Sequence, residues 1–271
     1  MTRRRFSTVF AAESNDVQED RKVINGFSPI YSRDVDIMSP ACGDDVEQAG
    51  RAGQKLFVLG GRRPDSAWLH EFSRMNGLDA WAIDSGAMAC RAAGLHPSVI
   101  VGDRDSATSE DWQWAVSIGA EEHLHNPDKN LTDFQLALDL LHGKDGIPIL
   151  TGCFGGRTDH FLSILWTFYR ASKRAETSQR PRCMIDHEEG FFFLHAEESV
   201  KFIFRRRPMA LSLLSMSKRC TGVFISGVRW PLSDVELRRN FPWAISNESV
   251  DDGGPVAVSC GGGVLGVSWC Y

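Results

Sequence analysis

Two aspartates two positions apart, Asp103 and Asp105, close a short apolar run of Val99, Ile100 and Val101 that ends at Gly102. In extended backbone, residues i and i+2 point the same way, so both carboxylates would aim at one point. Like charges held that close repel unless a cation lies between them. Oxygen-only donors suit Mg²⁺, which commonly sits on one or two carboxylates and on the phosphates of a substrate. An Asp-rich turn offers the same residue types without a metal, since Asp and Gly are ordinary loop formers. Other segments of the chain end in the same way, and that repetition favours the chemical reading.

Residues 126–133, Asn-Pro-Asp-Lys-Asn-Leu-Thr-Asp, lead into a helix beginning near Asp133. Thr132 and Gln135 have the spacing of a capping box, and Asp133 would complement the helix dipole. A capping role and a functional role for Thr132 stand level. Asp128 and Lys129 carry charge without any such local task. Residues 151–160, Thr-Gly-Cys-Phe-Gly-Gly-Arg-Thr-Asp-His, set a glycine-rich loop between a strand and a helix. Arg157 and Asp159 stand at that helix start, where free backbone N–H groups favour anions. The planar fork of Arg157 suits a phosphate. Either residue alone would also serve as an ordinary surface charge or cap.

The elements that must position these groups follow from apolar spacing. Leu56 to Leu59 is a short apolar run closed by Gly60 and Gly61; Trp68, Leu69, Phe72 and Met75 then recur at helical spacing and stop at Gly77. Ala80 to Ile83 is closed by Asp84, Ser85 and Gly86, and a short helix runs to Ala93 and Gly94. After the run at Val99, Trp112, Val116 and Ile118 suggest another helix. Leu131 to Leu141 is a clear one, Ile147 to Leu150 is a strand closed by Thr151 and Gly152, and Phe161 to Tyr169 is an apolar helix. This alternation predicts an α/β domain, a largely parallel sheet flanked by helices, over residues 55–182. In open α/β sheets ligands bind beyond the carboxyl ends of the strands, and here those ends carry glycines and three aspartates. A structural turn needs the glycines but not the aspartates. Neither GxxxxGK[ST] nor GxGxxG is present, which argues against an ordinary P-loop kinase or nicotinamide dehydrogenase.

Composition sets the frame. The chain has 271 residues, 42% of them hydrophobic, enough for a substantial core. A formal net charge of −5 gives no reason to expect nucleic acid or an acidic membrane surface as partner. No apolar run reaches the roughly 18 residues of a membrane-spanning helix. The start, Met-Thr-Arg-Arg-Arg-Phe-Ser, is loosely similar to a twin-arginine signal, but its apolar stretch stops at Ala12. Seven scattered cysteines show no CxxC pair or metal-ligand spacing, which fits a reducing, cytoplasmic compartment. Residues 1–54 are polar and mixed in charge, and read as a poorly ordered or loosely docked extension, with Phe27 to Ile30 able to pack on the body. From about residue 183 the chain turns to short β-rich runs separated by turn residues, which predicts a small antiparallel β-sandwich domain over 183–271.

Four segments in order, Asp-Ser-Gly-Ala at 84–87, Gly-Asp-Arg-Asp-Ser at 102–106, Asp-Lys-Asn-Leu-Thr-Asp at 128–133 and Gly-Gly-Arg-Thr-Asp-His at 155–160, resemble the signature of the thiamine pyrophosphokinase (thiamine diphosphokinase) family. The resemblance covers roughly residues 55–271. Two departures stand out: Ser85 where the family usually has a second glycine, and Arg104 between the paired aspartates. The resemblance implies Mg²⁺-dependent transfer of pyrophosphate from ATP to thiamine by a homodimer. It implies Asp103, Asp105 and Asp133 as metal ligands, Lys129 and Arg157 as phosphate-stabilising groups, and Asp84 or Asp159 as the group that orients substrate or acts as base. Gly60, Ser85, Gly86, Ser106, Asp128, Thr132, Thr151, Gly155 and Gly156 are the implied nucleotide-binding set, with Arg157. Ile-Ser-Asn-Glu at 245–248 looks like the family's Ser-Asn-Glu element and implies thiamine-site roles for Ser246 and Asn247. Trp230 and Trp269 are candidate stacking surfaces for a cationic thiazolium ring. Two rival functions remain: a pyrophosphokinase for another hydroxymethyl heterocycle such as a pterin, and a nucleotide-binding sensor without catalysis.

Overall fold

The computed structural model describes residues 28–38, 53–103, 109–126, 130–142, 146–250 and 254–271. Two short strands, β1 (Ile30–Tyr31) and β2 (Val35–Met38), come first. An alternating series follows: β3 (Gln54–Val58), α1 (Ser66–Asn76), β4 (Asp79–Ile83), α2 (Gly86–Ala92), β5 (Val99–Gly102), α3 (Ser109–Ser117), β6 (Glu121–Leu124), α4 (Asp133–His142), β7 (Ile147–Thr151) and α5 (Thr158–Arg174). The remainder is strand: β8 (Cys183–Ile185), β9 (Glu189–His195), β10 (Glu198–Phe204), β11 (Ala210–Ser215), β12 (Arg219–Ser226), β13 (Leu232–Arg238), β14 (Pro255–Cys260) and β15 (Val264–Cys270).

Helix α1 illustrates how local chemistry sets these bounds. Asp65 accepts the Trp68 N–H at 2.9 Å as N-cap, and Gly77 takes the left-handed conformation (φ 60°) that ends the helix. Between them Trp68, Leu69 and Phe72 fall on one buried face, with the Trp68 and Phe72 rings stacked at 4.9 Å. Burial of each such side chain contributes roughly 1.5–3 kcal/mol, so the face rather than propensity anchors the helix.

The strands form two sheets. The larger has nine strands in the order β11-β15-β9-β8-β7-β3-β4-β5-β6, parallel from β8 to β6 and antiparallel from β8 to β11. The smaller is wholly antiparallel, in the order β1-β2-β10-β14-β12-β13. Because side chains alternate along a strand, the nine-stranded sheet feeds two cores. Leu56 and Val58 join Trp68, Phe72, Trp112 and the inner residues of the six-stranded sheet, including Val200, Phe202, Val256 and Val258. Phe57 joins Phe134, Leu138 and Phe168 of α4 and α5 on the opposite face.

Two features of this architecture differ from the sequence expectation. The stretch read as a loosely docked extension contributes β2, whose Val35 and Ile37 are fully buried and whose backbone pairs with β10. Four residues are too few to show a period, so their strand character comes from the partner they find. The expected division at residue 183 falls inside one continuous sheet: β8 pairs in parallel with β7, and then β9, β15 and β11 extend it antiparallel. What changes there is connectivity, not the sheet.

Candidate active site

Strands β7, β3, β4 and β5 run parallel, so their carboxyl ends share one edge. The chain steps from β3 through β6 in one direction and then returns to the other side of β3 with β7. The reversal between β3 and β7 is a topological switch point, the place where open α/β sheets leave a crevice for ligands. Residues 59–62 and 151–154 are laced together there. The Leu59 N–H donates to the Thr151 carbonyl at 2.9 Å, Gly61 to Gly152 at 2.7 Å, and Arg62 to Phe154 at 2.6 Å. Gly152 adopts φ 65°, and a Cβ on it would strike the Leu59 carbonyl, so only glycine permits the loops to close this far. The loop continues through Gly155 and Gly156 to α5.

On the β4 side, Ser85 and Gly86 begin α2 against the end of β3; a side chain on Gly86 would run into the Val58 carbonyl. Asp84 sits in the left-handed region at φ 52°, a conformation Asp tolerates better than most residues. Its N–H donates to the Val101 carbonyl at 2.7 Å. Gly102 abuts the Asp84 backbone, so Asp84 and the half-buried Asp103 stand at neighbouring strand ends. Helix α4, which opens with Asp133, packs over β4 and β5, the strands that end in those two carboxylates. Thr132 forms the anticipated capping box: its Oγ1 accepts the Gln135 N–H at 3.3 Å, and its own N–H donates to Gln135 Oε1 at 3.0 Å. That engages the Thr132 side chain in holding the helix end. Arg104, Asp105, Ser106, Asp128 and Lys129 lie outside the described residues. Among the described residues no group of three His, Cys, Asp or Glu side chains converges in a metal-holding arrangement.

Arg157 and Asp159 reach each other rather than inward: Nη2 to Oδ2 is 2.6 Å and Nε to Oδ1 is 3.1 Å, with both side chains mostly exposed. The hydrogen bond from the guanidinium brings the Asp159 carboxyl down to about 2.

The Ser-Asn-Glu segment lies elsewhere. Asn247 pairs with Leu211 of β11, the outer strand at the far end of the nine-stranded sheet. Its side chain brackets Trp230, with Oδ1 accepting the Trp230 N–H at 3.1 Å and Nδ2 donating to the Trp230 carbonyl at 2.7 Å. Ser246 has φ 59°, and its N–H donates to Ser212 Oγ at 3.0 Å. Trp230 is half exposed, with the Arg229 guanidinium 4.8 Å from its ring centre. Trp269, in contrast, is 1% exposed and packs on Phe202 and Phe204 with ring centres 5.4 and 6.1 Å away. It is a core side chain with no open face, which corrects the expectation that it offers a stacking surface. Five strands separate β11 from β4. At about 4.8 Å per strand spacing, β11 and β4, beside which Ser246 and Asp84 stand, are on the order of 30 Å apart along the sheet.

Sequence reading passed over Arg62 and Arg63, which follow Gly60 and Gly61 at the switch point. Arg62 is held by Asp186, Glu188 and Glu189. A Gly-Gly-Arg-Arg run directly after a strand was the available signal.

These features define an α/β protein with glycines and carboxylates at the carboxyl ends of its parallel strands, its sheet extended by antiparallel strands and packed on a second, antiparallel sheet. A family model for the catalytic domain of thiamin pyrophosphokinase matches residues 80–179, and one for that enzyme's vitamin B1 binding domain matches residues 201–265. The thiamine pyrophosphokinase of Bacillus subtilis (strain 168) is 26% identical over 187 residues, covering 66% of this chain and 82% of that protein. The crystal structure of a Bacillus subtilis thiamine pyrophosphokinase superposes with a TM-score of 0.67 at 21% identity, over 80% of this chain and 99% of the other. The thiamin pyrophosphokinase of Candida albicans gives 0.64 at 14% identity, over 82% and 90%; both are likenesses of fold. The chain belongs to the thiamine pyrophosphokinase family.

Proposed function

We infer that this protein is a thiamine diphosphokinase, transferring the pyrophosphoryl group of ATP to the hydroxyl of thiamine and releasing AMP. The observation that carries this is the presence, in one chain and in order, of matches to the family's catalytic and vitamin-binding domains. The second match argues against a pterin substrate, and the retained Asp84, Asp103, Asp133 and Arg157 argue against a sensor without catalysis. The test is the purified full chain incubated with ATP, Mg²⁺ and thiamine, with product masses read directly. Thiamine diphosphate with AMP is the expected pair; ADP with thiamine monophosphate, or no turnover, would overturn the reading.

In this reading the crevice at the switch point takes the triphosphate. Reaction at the β-phosphorus depends on holding the chain of phosphates in line with the hydroxyl and neutralising its charge. Gly60, Gly155 and Gly156 are exposed and leave backbone accessible to phosphate oxygens, with Ser85 and Gly86 at the start of α2 and Thr151 at the end of β7. Arg157, on release from Asp159, and Lys129 would supply cations, with Ser106 and Asp128 completing the assigned set. Asp103 and Asp133 at the crevice, with Asp105, form an all-oxygen donor set of the kind Mg²⁺ takes. Bound there, the ion would neutralise triphosphate charge. Asp159, held at a carboxyl value of about 2 by Arg157, is a poor proton acceptor near neutral pH. Asp84 is therefore the better candidate to orient the thiamine hydroxyl.

The separation of Ser246, Asn247 and Trp230 from Asp84 supports a homodimer whose thiamine site uses both copies, since in one copy the strands beside the two halves are about 30 Å apart along the sheet. Trp230, Phe241, Trp243, Ile245 and Val250 are all exposed in the single chain, an apolar surface that a two-fold interface would cover. The six described cysteines are free thiols, which supports a reducing, cytoplasmic setting. Among the described residues no helix is long and apolar enough to cross a membrane.

A further inference from the structure

Two successive arginines follow the glycine pair at the end of β3, and the fold turns them to opposite sides. Arg62 points toward β8. Its Nε and Nη2 lie 3.2 and 2.8 Å from Asp186 Oδ2, its Nη2 is 2.7 Å from Glu189 Oε1, and its Nη1 is 2.8 Å from Glu188 Oε2. Asp186 is fully buried and also accepts the N–H groups of Glu188 and Glu189 at 2.9 and 3.0 Å. The guanidinium is thus spent on three carboxylates and ties the loop after β3 to the turn between β8 and β9.

Arg63 points the other way. Its Nη2 lies 4.0 Å from Met88 Sδ, beside the first turn of α2. That turn starts at Ser85 and Gly86, and a Cβ on Gly60 would overlap Ser85 Oγ, so loop and helix start are in direct contact. Arg63 is exposed and has no carboxylate partner among the described residues. At the same edge Arg62 is neutralised by its three carboxylates and Arg157 is paired with Asp159. Among the described residues, Arg63 is the arginine at this edge without a carboxylate partner, and it follows the carboxyl end of β3 and lies beside α2.

We propose that Arg63 is a nucleotide-binding residue that takes the polyphosphate of ATP at the switch-point crevice, and that Arg62 is a positioning residue that fixes the loop presenting it. The proposal rests on the thiamine diphosphokinase reading. A triphosphate carries about four negative charges, and a guanidinium offers planar, bidentate donors matched to phosphate oxygens. An arginine already saturated by carboxylates cannot do this without losing them, whereas Arg63 loses only contact with a thioether and solvent.

The test uses the full chain, a non-hydrolysable ATP analogue with Mg²⁺, and AMP. Calorimetry on Arg63→Ala and Arg63→Gln is expected to show the analogue's Kd raised about tenfold or more, AMP affinity changed less than threefold, KM for thiamine unchanged and Tm unchanged. Arg63→Lys is expected to recover part of the loss, because charge returns but the fork does not. Arg62→Ala is expected to lower Tm as well as analogue affinity. Analogue binding by Arg63→Ala equal to that of the unaltered chain would overturn the proposal and leave the functional reading intact. An unaltered chain that neither binds the analogue nor converts thiamine would overturn both.

Discussion

Arg157 and Asp159, two residues apart at the start of α5, form a two-point ion pair with contacts of 2.6 and 3.1 Å while each stays mostly in solvent. A pair placed so openly adds little to stability. Its consequence lies in titration. The Arg157 hydrogen bond brings the Asp159 carboxyl to about 2, so Asp159 stays ionised across the range in which an enzyme of this kind would be assayed. In Arg157→Ala the Asp159 carboxyl should return toward the ordinary carboxylate range near 4. Carbon-detected NMR titration of the Asp159 side chain reads this directly; an unchanged midpoint would show that another group holds it.

The carboxylates at the strand ends bear the heaviest functional expectation. Asp103→Asn and Asp105→Asn should fold normally, with unchanged circular dichroism, and lose Mg²⁺-dependent turnover by about a hundredfold or more. Asp133→Asn should do the same while leaving the Thr132–Gln135 capping box in place. Near-normal kcat/KM in all three would remove them from the metal-binding role.

The two tryptophans should part company. Trp230→Ala, at a half-exposed position, should leave Tm within a few degrees and raise KM for thiamine about tenfold. Trp269→Ala, in the core against Phe202 and Phe204, should cost about 3–5 kcal/mol in denaturant titration whatever happens to thiamine. A stable Trp269→Ala protein would contradict its place in the core.

A buried network away from the crevice should govern stability in acid. His195 Nε2 lies 3.2 Å from Ser172 Oγ, and burial brings the imidazole down to about 3. The unfolded chain takes up that proton near pH 6.5, so His195 stabilises the fold fully above pH 6.5 and progressively less as pH falls toward 3. Denaturation midpoints should therefore drop between pH 7 and pH 4, and His195→Gln should flatten that slope. Beside it, Arg182 makes a two-point bond with Glu198 at 2.5 and 2.8 Å, and both are buried. Glu198→Ala, which strands the arginine, should cost about 3–5 kcal/mol.

Strand β2 makes a last test. Reading residues 1–54 as an extension implies that removing residues 1–50 leaves the core intact, but β2 pairs with β10 and buries Val35 and Ile37. The truncated chain should lose several kcal/mol or fail to fold, and Ile37→Ala in the full chain should cost about 2–5 kcal/mol. An unaltered denaturation curve for the truncation would show β2 to be dispensable.

The sequence by itself determined the parallel α/β core and which residues fall at the carboxyl ends of its strands, because both are written locally. Apolar runs such as Val99 to Val101 fix a buried strand, Thr132 and Gln135 fix a helix start, and the residues just past each strand must lie at its carboxyl end. Local rules fail where an element owes its form to a neighbour. Strand β6, Glu-Glu-His-Leu, is a largely exposed edge with no apolar period, and β2 is a strand only because β10 lies beside it. The role of a side chain with several options was likewise decided in three dimensions. Trp230 and Trp269 are alike in composition, yet one caps an exposed turn held by Asn247 and the other fills a core. Arg62 and Arg63 are adjacent and chemically identical. Only the fold, by bringing Asp186, Glu188 and Glu189 to one of them from more than a hundred residues away, neutralises Arg62 and leaves Arg63 its charge.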